Sequence, residues 1–93
     1  MPLIARFEDI RAWQKARELT REMYDACGRG TLRSDFGLKG QLCRAAVSAM
    51  SNVAEGRARK SDRDFARFLD IARGSTVEVQ SLLYAALDSG SPD

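Results

Sequence analysis

No proline falls between Pro2 and Pro92, and over that whole interval apolar residues recur at steps of three and four. A proline inside a helix costs about 3 kcal/mol, so this long proline-free stretch leaves helices free to run. Period-two alternation, the mark of a half-buried strand, is absent. An all-α chain is therefore expected, with residues 1–93 forming a single helical-bundle domain. At 93 residues such a domain buries only about two-thirds of the surface of its unfolded chain. Its core is thin, and association with further copies is a natural source of added stability.

Three helices are predicted. The first covers about 9–27, with Ala12 and Trp13, Ala16, Leu19, Met23 and Ala26 on one stripe. Glu8 and Asp9 lie at its positive end, and Gly28 is expected to end it in the left-handed conformation. After a short polar connection at 29–33, a second helix is predicted over 34–56. Leu38, Leu42, Ala45, Ala49 and Val53 form one apolar row on it. Cys43, Ala46, Val47, Met50 and Ala54 form another. A face that wide is covered on two sides, which makes this the central helix. Ser61 and Asp64 have capping-box spacing at the start of a third helix over 62–88. Its stripe runs through Phe65, Phe68, Leu69, Ala72, Ser75, Thr76, Val79, Leu82, Leu83 and Ala86. Short connections between long helices imply an up-down antiparallel bundle. Gly74 is the weak point of the third helix; close helix contact there, with Ser75 hydrogen-bonding the second helix, would account for it.

The chemistry available is narrow. There is no histidine, which removes the commonest general base and metal ligand. Cys27 and Cys43 match no zinc spacing. If the chain turns near Thr31, the two sulfurs lie about 10 Å apart along the helices, too far to bridge, and both read as core fillers. Catalytic residues, cofactor and metal are all expected to be none. Asn52 and Glu55, and Ser75 and Glu78, each share a helix face at a spacing of three. Their carboxylates could serve acid–base or metal chemistry, as in a metal-dependent hydrolase, accept hydrogen bonds from arginines that set helix register or a subunit contact, or simply face solvent. The second reading is the stronger, because the Glu-x-x-His pairs of di-metal bundles are missing.

Total charge is only +2, from fifteen basic and thirteen acidic residues, so any polyanion contact must come from distribution. Between residues 57 and 67 stand Arg57, Arg59, Lys60, Arg63 and Arg67 against Asp62 and Asp64. An antiparallel bundle brings the start of the first helix, with Arg6 and Arg11, to the same end. The alternatives are a solvated turn or a phosphate-contacting surface. Residues 1–6 lack the apolar run of a signal peptide, and no stretch approaches the roughly 18 apolar residues of a membrane span. A cytoplasmic location without membrane contact is expected.

Four segments together resemble the 23S rRNA intervening-sequence proteins. They are Phe7-Glu8-Asp9-Ile10 with Trp13-Gln14-Lys15-Ala16; Leu42-Cys43-Arg44-Ala45-Ala46-Val47-Ser48; Asn52-Val53-Ala54-Glu55-Gly56; and Phe65-x-x-Phe68-Leu69-x-x-Ala72-x-Gly74-Ser75-x-x-Glu78. The resemblance implies an antiparallel four-helix bundle assembled as a homopentamer. It also implies kinship with the accessory protein of diversity-generating retroelements, which associates with a reverse transcriptase and nucleic acid. Arg44, Asn52, Glu55, Gly56, Arg59, Gly74, Ser75 and Glu78 occupy its signature polar and small positions. Two departures stand out. Ala49-Met50-Ser51 replaces the usual proline of the second helix, and the chain stops where a fourth helix would begin. The expected function is a non-enzymatic oligomeric scaffold whose basic ends contact RNA, DNA or a nucleic-acid-processing protein. The alternative is a module that binds a partner helix in the apolar groove left without a fourth helix.

Overall fold

The computed structural model describes residues 6–90. A single 3-10 turn at Phe7–Asp9 leads into α1 (Arg11–Ala26), a second 3-10 segment at Gly30–Ser34 leads into α2 (Phe36–Ala58), and a three-residue turn leads into α3 (Asp62–Asp88). No strand occurs among the described residues, and no helix is long and apolar enough to cross a membrane. The fold is all-α and up-down antiparallel, and the described residues contain no fourth helix.

α2 and α3 each start where a side chain can satisfy a first free amide, whereas α1 follows Ile10 with no side-chain cap. The Asp35 carboxylate accepts from the Leu38 amide at 3.1 Å, capping α2. The Ser61 hydroxyl accepts from the Asp64 amide at 3.1 Å, capping α3 at the expected place. Gly28 does not end α1 in the left-handed region. Cys27 is the C-cap in ordinary helical conformation, and Gly30 takes the positive φ, at 58°. The reason is that the chain tightens into further 3-10 geometry after α1: the amides of Gly28 and Arg29 return to the carbonyls of Asp25 and Ala26. Inside this linker Leu32 is completely buried, so the connection is plugged into the core and is not merely polar.

α2 is the central element. α1 and α3 each pack along it, while their own backbones hardly approach one another. Alanines permit this intimacy: Ala45, Ala46 and Ala49 are all buried. The Thr20 hydroxyl donates to the Ala46 carbonyl at 3.1 Å and to the Ala16 carbonyl at 2.8 Å, tying α1 to α2. On the other side Ser48 and Ser75 share a 2.9 Å hydroxyl hydrogen bond, so Ser75 does reach the second helix. The Asn52 amide buttresses it, donating to the Ser48 carbonyl at 2.8 Å and hydroxyl at 3.1 Å.

The close approach expected at Gly74 lies elsewhere. A Cβ on Gly74 would meet nothing within 4 Å, whereas one on Gly56 would come within 2.6 Å of the Phe68 Cβ. Gly56 therefore does not terminate α2; it is buried within the helix, and α3 crosses over it. Val47, placed on the second apolar row, is exposed, because α2 is covered on two flanks and not all round.

The core divides in two. Near the α1–α2 turn, Met23, Cys27, Leu32, Leu42, Ala45, Ala46 and Val79 pack together, flanked by Leu19, Leu38, Cys43, Leu82 and Leu83. At the α2–α3 turn, Ile10, Val53 and Ala72 pack beneath Phe7, Trp13, Phe65 and Leu69. Phe7 meets Trp13 edge-on at 5.2 Å between centroids, a favoured aromatic geometry. The molecule is long and thin, 49 × 19 × 15 Å. Its radius of gyration of 14.7 Å exceeds the roughly 12 Å expected of a compact domain of this length.

Candidate functional site

The α2–α3 turn forms one tip of the molecule, and the charged residues of 57–67 lie on it and on the helix ends that flank it. Gly56, Arg57, Arg59, Lys60, Ser61, Asp62 and Phe65 line an open depression of about 310 Å³. Arg6, Phe7 and Glu8 face Arg57 and Arg59 across a neighbouring depression, so the start of the chain does join this end. Ser61, Arg63, Asp64, Arg67 and Asp70 surround a third, shallower surface on the outer face of α3. Arg11 is exposed in the first turn of α1 but lines none of these three depressions. The basic residues thus divide between two faces of one tip.

Local partners rank the cations. Arg6 grips Glu8 through two contacts, 3.3 Å from its Nε and 3.0 Å from a terminal nitrogen. That bond holds the Glu8 carboxyl below its ordinary value and raises the Arg6 guanidinium. Arg59 pairs with Glu55 at 3.1 Å one helical turn back, and its guanidinium also stacks over the Phe68 ring at 4.8 Å. Arg67 approaches the same ring at 5.7 Å. Lys60 and Arg63 are exposed and form no ion pair among the described residues. Asp62 and Asp64 sit in the first turn of α3, where they suit the positive end of the helix dipole and offset part of the cationic field. Arg63 and Arg67, four apart on α3, are presented together to solvent.

The four-residue polar constellation does not assemble as a unit. Asn52 and Ser75 meet through Ser48, as described above. Glu55 instead turns along its own helix to Arg59, and Glu78 is exposed. Neither carboxylate joins the Ser48–Ser75–Asn52 contact across the α2–α3 seam. No group of three or more potential metal ligands occurs among the described residues. Arg44 is likewise exposed and lies back along α2, its guanidinium 3.2 Å from where a Cβ on Gly40 would stand.

At the opposite end the structure departs most from expectation. The Cys43 thiol donates toward the Cys27 sulfur at 3.5 Å, and both cysteines are free. The expected separation of about 10 Å assumed a turn at Thr31. The 3-10 segment Gly30–Ser34 instead carries the reversal on to Asp35, midway between the two cysteines. Burial, then the hydrogen bond with Cys43, pushes the Cys27 thiol up to about 11.

A second apolar feature runs along the middle of the molecule. Ala12, Ala16, Leu19, Ala49, Val53, Leu69, Ala72 and Thr76, together with Lys15 and Arg73, line an open groove of about 400 Å³, with α1 and α3 as its walls and α2 as its floor. Tyr84 and Leu87 add an exposed apolar patch near the end of α3. Residues 8–92 match the family model described as 23S rRNA-intervening sequence protein, and the chain belongs to that family. No curated protein matches it.

Proposed function

We propose that this member of the 23S rRNA-intervening sequence protein family is a non-enzymatic, self-associating helical scaffold that contacts nucleic acid through its basic tip. The single observation that carries the reading is the gathering of Arg57, Arg59, Lys60, Arg63 and Arg67 around the open surfaces of the α2–α3 turn. Shallow, solvent-open, cationic surfaces suit phosphate groups better than a small substrate, which needs an enclosing pocket. Among the described residues the aromatic rings of the tip are engaged in packing, Phe7 against Trp13 and Phe65 and Phe68 against the Gly56 crossing, which does not favour base stacking. Binding by phosphate contact alone is insensitive to base sequence. Self-association supplies the rest, since several tips on one particle multiply a weak contact.

The test is fluorescence anisotropy with a short duplex RNA over a range of salt concentrations. Affinity should fall steeply with salt and differ little between unrelated sequences. The triple variant Lys60→Gln, Arg63→Gln, Arg67→Gln removes three exposed cations of the tip and should lower the log–log salt slope by about 2 to 3. Its thermal stability should stay close to that of the parent. Binding and salt slope unchanged in the triple variant would reject the tip as the interface.

A second reading rests on the groove between α1 and α3 and takes a partner helix as its ligand. Its apolar floor at Ala49 and Val53 favours such an occupant. A complex that survives nuclease and high salt, and is lost in Ala12→Glu on the exposed groove wall, would favour this reading over the first.

A further inference from the structure

Cys27 and Cys43 are the only cysteines in the chain. Their sulfurs lie 3.5 Å apart across the α1–α2 interface, although 16 positions separate them in sequence. We infer that this pair is a peroxide-oxidisable site, closing reversibly to an intramolecular disulfide that clamps the α1–α2 hairpin.

Three features carry the inference. A disulfide has its sulfurs about 2.05 Å apart, so the gap must shrink by roughly 1.5 Å, within reach of small side-chain rotations. Cys27 is the C-cap of α1, at a helix end that adjoins a 3-10 linker, where the backbone yields more easily than in mid-helix. The two thiols also differ in access: Cys27 is buried and Cys43 partly exposed. That asymmetry assigns their roles.

A hydroperoxide reaches Cys43 first. Its thiolate attacks one peroxide oxygen, the O–O bond breaks, and Cys43 becomes a sulfenic acid while the peroxide leaves as water. The Cys27 sulfur then attacks the Cys43 sulfur, the S–O bond breaks, and the hydroxide released takes the Cys27 proton to leave as a second water. Two thiols and one hydrogen peroxide give one disulfide and two waters. A dithiol reductant reverses the process by exchange. Burial of Cys27, the same property that pushes its thiol up, makes it the poorer first nucleophile and leaves it to act as the resolving partner.

The consequence for the fold is mechanical. The bond closes the linker containing Leu32 and the Asp35 cap, so the unfolded chain loses loop freedom that the native hairpin never had. For a loop of this length and a domain of this size, the midpoint of thermal unfolding should rise by about 10 °C or more.

The experiment uses the full reduced chain and a few equivalents of hydrogen peroxide. Intact mass should fall by two hydrogens, thiols titrated under denaturing conditions should disappear together, and the product should run as a single uncrosslinked chain. Tm should rise, and dithiothreitol should return mass, thiols and Tm to their starting values. Cys27→Ser and Cys43→Ser, treated alike, should show no Tm rise. Persistence of both thiols in the parent at peroxide exposures that oxidise free cysteine would overturn the inference. So would chain-to-chain dimers as the main product, or a Tm indifferent to the bond.

Discussion

The two ends of the molecule are built on different plans. At the α1–α2 end the connection itself is part of the core: Leu32 is fully buried beside Leu42, Met23 and the cysteines. At the α2–α3 end the core is thin, Ile10, Val53 and Ala72 beneath a lid of aromatic rings, and the surface above it is cationic. One end is held by aliphatic burial, with Leu32 buried into its turn. The other is held by a close helix crossing at Gly56 and keeps its charged side chains outward. In a bundle this slender, the aliphatic anchorage and the cationic surface lie at opposite ends.

The contrast can be broken most directly at the anchored end. Leu42→Ala should cost about 3 kcal/mol of unfolding free energy, since a fully buried leucine leaves a cavity. Val53→Ala in the thinner cluster should cost less, about 2 kcal/mol. Urea denaturation of both variants checks the order, and the reverse order would make the basic end the true anchor. Next in size is Gly56→Ala. The added methyl meets the Phe68 Cβ at 2.6 Å, a backbone-proximal atom that cannot swing aside, and about 2 kcal/mol should be lost to overpacking.

A smaller effect separates the ends by pH. The Cys27 thiol ordinarily titrates near 9.0 and is raised to about 11 in the fold. The unfolded chain therefore releases its proton first, and stability that is complete below pH 9 is lost as pH rises toward 11. Against Cys27→Ser, the reduced parent should lose about 1 kcal/mol more between pH 8 and pH 10. An identical slope in the two proteins would mean the thiol is not shielded. The smallest change carries the opposite sign. Gly74→Ala, with empty space around its Cβ position, should stabilise the chain by about 0.7 kcal/mol, measured in the same urea titrations.

Gly56 and Gly74 also show where reading a sequence stops. Both sit in apolar-periodic helices, and periodicity alone cannot say which glycine another helix crosses, because crossing angle and register are set by all the packed side chains at once. The helices themselves were legible, since period, caps and punctuation agree locally: α3 starts and stops as expected, and α2 is displaced by only two residues at each end. That displacement hid the thiol pair. A 3-10 segment advances about 2 Å per residue and bonds at shorter range, and nothing in Gly-Thr-Leu-Arg-Ser announces it except a lone leucine in polar surroundings. The basic cluster was visible as composition. Its division into two faces, and the capture of Arg6 and Arg59 by neighbouring carboxylates, depends on side-chain reach that no spacing rule contains.

The crossing at Gly56 sets more than stability. The residues that follow it at once are Arg57, Arg59 and Lys60, while Arg63 and Arg67 ride on the helix that crosses above. A single absent carbon is thus the gauge that sets the distance between two rows of positive charge. Drift at this position would change the spacing of those rows while leaving every charged residue in place, so under the proposed reading phosphate affinity would fall with the electrostatic inventory untouched.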